Sequence, residues 1–357
     1  MLATVERPHH GQYFAWWDAY AREREEDPQA LRFFVAYAGE EPVAILPLAL
    51  RQQRVSGVPL RALEIPDGGS PTREPVLGGG APARLVASFA EYLGASQPEG
   101  WDVLALRALP ESSAAWRSLT AVAPRRLIVE DSGGCDFLPC VSREERLAGL
   151  SKNFRGALRK ARNKLAQQPG VEFVRARTPA EIEAAVAEFL AVEGSGWKGS
   201  AGSAVASHAR KEAFLRGVAR RFAAVGCAEV NLLRAEGTAI AAQFCVRVGR
   251  RLTIEKIGYD ERYARLAPGN MLLEHVLDRC HAEGDVDEVD LVSDAPWHRP
   301  WKASSRRRLT ALVFSASARG RAAWALGRGK ELLRPAVRGL RGLAARSGRG
   351  TAAAEDE

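Results

Sequence analysis

A mixed α/β fold in two parts is the class this sequence predicts, and three observations carry it. Its 357 residues are 46% hydrophobic, 26% charged and 7% aromatic, the balance of an ordinary globular chain with room for two cores. Amphipathic helical stretches alternate with short apolar runs, and neighbouring runs are joined by turns tight enough for antiparallel pairing. One such hairpin occurs twice. FVAYAGEEPVAILPLAL from Phe34 and NLLRAEGTAIAAQFCVR from Asn231 both read strand, acidic-glycine turn, strand, and Val43-Ala44 matches Ile240-Ala241. The repeat predicts two related halves, the second keeping every element.

Taken in order, the chain opens with a helix over Tyr13–Glu26, where Phe14, Trp17 and Tyr20 recur at helical spacing before the charged AREREED end. A hairpin follows, Arg32–Tyr37 and Pro42–Leu50 across Ala38-Gly39-Glu40-Glu41. Loops rich in Gly and Pro at Pro66–Pro75 and Gly78–Pro82 lead to a helix around Ala83–Leu93 and a strand at Trp101–Leu106. Arg125–Glu130 reads as a strand and Asp131–Gly134 as a turn. The second half starts on Ser142-Arg143-Glu144-Glu145, a capping box, and continues with the basic helix SKNFRGALRKARNKL, which stops at Gln168-Pro169-Gly170. A strand at Val171–Arg175, a helix from Thr178-Pro179 to about Glu193, a Gly/Ser-rich loop at Gly194–Ser203 and a helix at His208–Val225 come next. Strands at Ala228–Ala235, Ala239–Val248 and Leu252–Tyr259 are separated by the turns Glu236-Gly237 and Gly249-Arg250. Pro268-Gly269 opens a helix to about Ala282, and Glu288–Val292 is a strand.

Composition and motifs exclude several classes. Disordered, collagenous and disulfide-scaffold proteins do not fit these proportions, and five scattered cysteines fit a reducing cytoplasm. The amino terminus MLATVERPHHGQYF has no signal-peptide pattern, and the longest apolar run, Pro42–Leu50, falls far short of the roughly 20 residues needed to span a bilayer. No nucleophile elbow, Walker loop, HExxH or GxGxxG occurs. His208, His275, His281 and His298 fall on different elements with no Cys or acid at ligand spacing, so no metal is expected. The formal charge of +8 concentrates in two places, Lys152–Lys164 and the residues after Phe314, where nine Arg or Lys face four acids.

The informative segment is LTIEKIGYDERYARLAPGNMLLEHVL, a strand passing through a charged loop into a helix begun by Pro-Gly. The first turn of that helix offers free N–H groups and a positive dipole end, with Arg262 and Arg265 just upstream, a plausible pyrophosphate site. The same residues also suit a plain helix start, since Pro favours the first helical position.

The order of a basic helix, a GWKG loop, a strand–EG–strand hairpin, YDERY, an APGNML helix and a DLV strand resembles the GNAT-type acyltransferase domain of the BioF-like or CelD-like kind. That family is related to the Fem aminoacyltransferases, which contain tandem GNAT folds. The resemblance covers about Leu147–Leu309 well and Phe14–Leu106 as a divergent first copy. It implies tandem GNAT-like domains, each a mixed, largely antiparallel sheet flanked by helices. The expected division is 1–140 for a degenerate GNAT-like domain, 141–315 for the acyltransferase domain and 316–357 for a basic tail.

Carried over by position, the family's arginine-rich opening falls on Asn153, Arg155, Arg159 and Arg162, and its tryptophan on Trp197 beside Lys198. The tyrosine-rich loop falls on Tyr259, Asp260 and Tyr263. The closing motif falls on Asp290, His298, Arg299 and Trp301, with His298-Arg299 in place of Tyr-Lys and Asp294 in place of glycine. The resemblance implies that an amine attacks the thioester of acetyl-CoA or another acyl-CoA, an N-acetyltransferase-like reaction without a metal. A splayed strand after Leu252 then offers N–H groups to the carbonyl, and Arg262, Arg265, Pro268, Gly269, Asn270 and Met271 hold the coenzyme A phosphates. Glu255, Asp290 and His298 are the catalytic candidates, Glu255 and Asp290 as general bases. Trp197, Lys198, Tyr259, Tyr263, Arg299 and Trp301 are the substrate-binding candidates.

The acceptor class expected is a small or nucleotide-linked amine, in polysaccharide or cell-envelope biosynthesis where this resemblance points. The basic face Lys152, Arg155, Arg159, Arg162 leaves open a phosphate-bearing acceptor, an acyl carrier protein or tRNA, the last matching a Fem-like transferase that takes its acyl group from aminoacyl-tRNA. A catalytically inert binding module is the third reading, suggested by His298-Arg299. The tail interleaves Trp324, Leu332, Leu333, Val337 and Leu340 with Arg, which fits either a disordered tail or peripheral contact with the inner face of a membrane.

Overall fold

The computed structural model describes residues 4–330 apart from 26, 68–72, 80, 82–84, 96–99, 122–123 and 196–204. The loop carrying Trp197 and Lys198 and the tail from 331 onward lie outside the described residues. In the first half, α1 (Phe14–Ala19) precedes β1 (Leu31–Ala38), β2 (Glu41–Val55), β3 (Val58–Glu64), β4 (Val76–Leu77), α2 (Leu85–Ala95), β5 (Val103–Pro110), α3 (Ala114–Thr120) and β6 (Leu127–Pro139). The second half runs α4 (Arg143–Gly149), α5 (Lys152–Ala166), β7 (Glu172–Ala176), α6 (Pro179–Ser195), α7 (Ala209–Ala224), β8 (Ala228–Ala235), β9 (Thr238–Val248) and β10 (Arg251–Tyr259). A 3₁₀ segment (Glu261–Leu266), α8 (Pro268–Glu283), β11 (Glu288–Asp290), a second 3₁₀ segment (Pro296–Trp301) and β12 (Ser304–Phe314) follow, and residues 318–330 form a helix whose Ala323 and Trp324 pack on β3, β5 and β12, so this part of the expected tail belongs to the folded body.

Local chemistry explains the well-anticipated elements. Ser142 and Ser151 accept the N–H groups of Glu145 and Phe154 at 3.1 and 3.2 Å, capping α4 and α5. Leu158, Ala161 and Leu165 give α5 one buried stripe while its Lys and Arg face outward. Glu236 and Gly237 both have positive φ, 51° and 74°, as the two-residue β8–β9 turn requires.

The sheet shows how the two halves combine. Its order is β1-β2-β3-β5-β12-β6-β11-β10-β9-β8-β7, with β4 beside β2. Reading outward from the antiparallel β12–β6 pair, β5, β3, β2 and β1 on one side mirror β11, β10, β9 and β8 on the other. The duplicated hairpin is β1–β2 and β8–β9, and the parallel pairs β3–β5 and β10–β11 also correspond. The chain is thus a tandem of two like units, and the last strand of each is inserted into the other's half of the sheet.

That exchange overrides two local expectations. Asp131–Gly134 is not a turn: β6 runs straight through it, with Gly133 at φ 79° beside a register shift in the β12 pairing. Gly134 lies against Asp294, which accepts its N–H at 3.1 Å. The turn residues of DSGG therefore serve as a bulge in β6 where it pairs with β12. The sequence reading also stopped the first hairpin at Leu50, whereas β2 continues to Val55 and turns into β3 through Ser56 and Gly57, both at positive φ.

Helices α6 and α7 cover one face of the second half, and α5 and α8 the other. Helix α1 leaves its own half to pack on α7, where Trp16 meets Phe214 edge-on at 5.2 Å and Asp18 accepts from Arg221 at 2.6 Å. Each such buried aromatic contributes roughly 2–3 kcal/mol through lost contact with water. The docking also carries the residues just before α1 onto the second half, where the candidate site lies.

Candidate active site

The site is a gap between two strands that begin as neighbours. β10 and β11 pair in parallel over only three positions, Arg251↔Glu288, Leu252↔Val289 and Thr253↔Asp290. Beyond Thr253 they diverge, so the β11-facing backbone of β10 has no ladder partner there. A bulge between Ile254 and Lys256 sets Glu255 out of the regular β9 register. On the β11 side, Val292 adopts φ 57°, a strained conformation for a β-branched residue. Two anchors hold it: Asp290 Oδ1 accepts its N–H at 2.8 Å, and Arg308 donates to its carbonyl at 3.1 Å.

The divergence opens a cavity of about 650 Å³ whose walls include Ile254–Tyr259, Leu291–Ser293, Trp297 and Pro268–Asn270. Gly258 is needed here because a Cβ would lie 2.9 Å from the Glu193 Cα, so α6 sits directly on β10. At the far end is the start of α8. Pro268 has no N–H and Met271 already donates to Ala267 O at 3.0 Å, which leaves the N–H groups of Gly269 and Asn270 for the cavity. Asn270 is held by Trp301, whose indole N–H donates to its Oδ1 at 3.1 Å and whose ring meets Phe154 at 5.3 Å.

Glu255 is buried in the cavity wall, and its Oε1 lies 2.7 Å from Nε2 of His10. Burial raises the pKa of this carboxyl, but the adjacent His10 and Lys256 outweigh it and hold the group below the ordinary glutamate value. His10 belongs to the segment that α1 docks onto the second half. There His9 caps the short turn His10–Gln12 by accepting the Gly11 N–H at 3.1 Å, and Gln12 donates to Pro75 O at 2.9 Å. The arrangement offers an anion-binding helix end, an apolar slot and a buried carboxylate ready to accept a proton.

Residues 152–303 match the family model described as acetyltransferase (GNAT) domain. Residues 152–303 thus form a GNAT-type acetyltransferase domain. The match runs from the start of α5 to Ala303 and stops short of the exchanged strand β12. Likeness to solved structures extends over most of the chain. A conserved protein of unknown function from Bacteroides thetaiotaomicron VPI-5482 is similar with a TM-score of 0.58 at 14% identity, over 88% of this chain and 95% of that one. FemX is similar with 0.57 at 8% identity, over 87% and 93%. L-PGS from Bacillus licheniformis is similar with 0.50 at 14%, over 84% and 88%. At these identities the likeness is one of fold. No curated protein matches the chain.

Within the GNAT half, the candidates from the sequence fall in different places. Glu255, Pro268, Gly269, Asn270 and Tyr259 line the cavity together. Asp290 lies behind the splay, lining a second, smaller cavity, and accepts from the Cys135 thiol at 3.3 Å. His298 is buried beneath Trp297, with Nδ1 2.9 Å from Asp136 Oδ2, and lines neither cavity. Trp301 is in the core and acts on the cavity through Asn270. Met271 is buried in the same core, which Tyr263 packs against. Arg299 and Arg265 are exposed, and Arg262 is exposed with its guanidinium engaged by Asp260. On α5, Arg155 donates to the Leu147 and Leu150 carbonyls and Arg162 pairs with Glu274 at 3.2 Å, whereas Lys152, Arg159 and Lys160 are exposed.

His10 is the functional residue that sequence reasoning missed, together with Val292 and Gln243 in the cavity wall. Its signal was the HHGQ step just before the first helix, but its partner is more than 240 residues away in the chain. Among the described residues, no cluster of three or more His, Cys, Asp or Glu is placed to hold a metal, and no helix is long and apolar enough to cross a membrane.

Proposed function

We propose that the protein transfers an acyl group from acyl-CoA, acetyl-CoA in the simplest case, to an amine. The observation that carries the reading is the splay of β10 from β11, opening on a cavity that ends at the Gly269 and Asn270 N–H groups. A pyrophosphate suits that helix end through its dipole and free donors, and the slot between the strands suits a pantetheine arm. The thioester carbonyl then lies at the β10 backbone freed from its ladder, where N–H donors stabilise the developing oxyanion. The amine nitrogen bonds to the carbonyl carbon as the carbon–sulfur bond breaks. The proton leaving the amine passes to the Glu255–His10 pair and then to the departing thiolate, giving amide and free coenzyme A.

In this reading residues 1–140 are a degenerate first GNAT-like copy, residues 141–315 carry the chemistry, and the basic residues after the helix at 318–330, which packs on β3, β5 and β12, are the part of 316–357 left to meet an anionic membrane surface. A role in polysaccharide or envelope assembly at the cytoplasmic side fits that arrangement. Fem-like use of aminoacyl-tRNA is the second reading, favoured by the exposed Lys152, Arg159 and Lys160 on α5, a helix that packs on the 3₁₀ segment before α8.

Calorimetric titration of the full chain with acetyl-CoA, coenzyme A and aminoacyl-tRNA tests both. Saturable acyl-CoA binding that weakens at least tenfold in Gly269→Glu, with thiol release in the presence of amines, supports the first. Absence of acyl-CoA binding overturns it, and salt-sensitive tRNA binding lost on Arg159→Glu supports the second.

A further inference from the structure

The smaller cavity behind the splay has a chemistry of its own. It holds about 80 Å³ and lies where the halves meet, with Glu74, Pro110 and Ser112–Ala115 from the first half facing Arg251, Asp290, Arg306 and Arg308. Exposed Arg7 and Glu6 line its outer part. His10, whose ring touches Glu255, and Val292, which lines both cavities, connect it to the thioester end of the larger one.

Its cations outnumber its anions. Glu288 alone pairs with three guanidinium groups, those of Arg7, Arg251 and Arg306. Arg306 also stacks over Phe137 at 3.6 Å, while its Nη1 stays 3.9 Å from Asp290 and makes no hydrogen bond. Arg308 is 5% exposed and donates only to the carbonyls of Val292 and Gly134, leaving Nε without a hydrogen bond. Glu6 is engaged by Arg117, and burial holds Glu74 largely protonated below pH 7. A buried guanidinium with no carboxylate of its own carries a desolvation cost of several kcal/mol, which an incoming anion offsets.

We propose that this cavity is the acceptor subsite and that it takes a small amine bearing a carboxylate, the carboxylate held by Arg308 and Arg306 and the amine directed past His10 toward Glu255. The proposal deepens the N-acyltransferase reading above and rests on it for the reaction, though not for the binding. The volume fits a headgroup of a few heavy atoms, and the planar fork of each arginine matches a carboxylate edge.

The test uses ω-amino acids of two to six carbons and the alkylamines that lack their carboxylate. Thermal shift of the full chain without any acyl-CoA reports binding, and acetyl-CoA-dependent turnover reports acceptance. At least one amino acid is expected to raise the melting temperature and to exceed its matching amine at least tenfold in kcat/KM. That preference is expected to vanish in Arg308→Met and in Arg306→Gln, with circular dichroism checking the fold of each. Equal behaviour of amino acids and amines across the series, or a preference surviving in either folded variant, overturns the proposal. Carboxylate-dependent binding without acyl-CoA binding supports this subsite and removes the donor reading, whereas turnover of amines with no carboxylate preference does the reverse.

Discussion

The carboxyl of Glu74 links stability to pH in a direction that Glu74→Gln is expected to remove. Its side chain is 12% exposed and lies 3.6 Å from His9 Nε2, and burial pushes its pKa from 4.5 up to about 7 against the pull of Ser113, Arg251 and Arg117. Below pH 4.5 the proton is bound in folded and unfolded chains alike, so the group contributes nothing against folding. As the pH rises toward 7 the unfolded chain releases the proton while the folded chain keeps it, and above 7 the native state carries a charge in a dry site. The separation between the two values is equivalent to about 3 kcal/mol of unfolding free energy, lost between roughly pH 4.5 and 7. His9 does not complicate the comparison, because burial and the neighbouring His10 and Arg251 keep it neutral well below its ordinary value. Urea titrations of the parent and Glu74→Gln at pH 5 and pH 8 measure the effect, and all other titrations cancel in the difference between proteins. The variant is expected to gain about 2.5 kcal/mol over the parent on going from pH 5 to pH 8, since part of the loss has already occurred at pH 5. Parallel pH profiles for the two proteins would refute the burial argument.

Glu255→Gln is expected to lower kcat about 100-fold or more while leaving acyl-CoA affinity within about twofold, measured by thiol release and calorimetry. Because His10 holds the Glu255 pKa down, the parent's kcat/KM is expected to show no limb from this group above pH 4.5, which a pH–rate profile checks. Gly258→Ala drives a Cβ to 2.9 Å from the Glu193 backbone and is expected to cost about 1–3 kcal/mol in urea denaturation. Trp301→Phe keeps most of the buried ring but removes the donor to Asn270, so a loss of about 1 kcal/mol is expected, together with severalfold weaker acyl-CoA binding.

Elements with local causes were legible in the sequence. The Glu236-Gly237 turn, the serine caps of α4 and α5 and the Pro-Gly start of α8 each follow from the conformational needs of two or three adjacent residues. The strand, charged loop and Pro-Gly helix start of LTIEKIGYDERYARLAPGNML also contain residues that line the larger cavity. What stayed hidden depends on contacts distant in sequence. DSGG reads as a turn until β12 pairs alongside it, and SSRRRLTALVF shows no turn signal tying it to β5 and β6. Three successive arginines there look like a solvated run, yet Arg306 and Arg308 project to one side of β12 and line the junction while Arg307, between them, is exposed. The alternation of side chains along a strand decides this, and only the strand assignment makes it visible.

The exchange of β6 and β12 also means that both cavities are built at a boundary to which each copy contributes. In the first half the β3–β5 pair separates after Glu64 and Ala105 just as β10 and β11 do after Thr253 and Asp290, and the next residues, Ile65 and Leu106, are buried like Ile254 and Leu291 in the second half. The first half meanwhile provides His10 beside Glu255 and the Glu74 and Ser113 wall of the smaller cavity, while β12 of the second half lies between β5 and β6 and carries the arginines. In the reading proposed above the second copy therefore needs the first, because the Glu255–His10 pair and the junction cavity each draw on both halves.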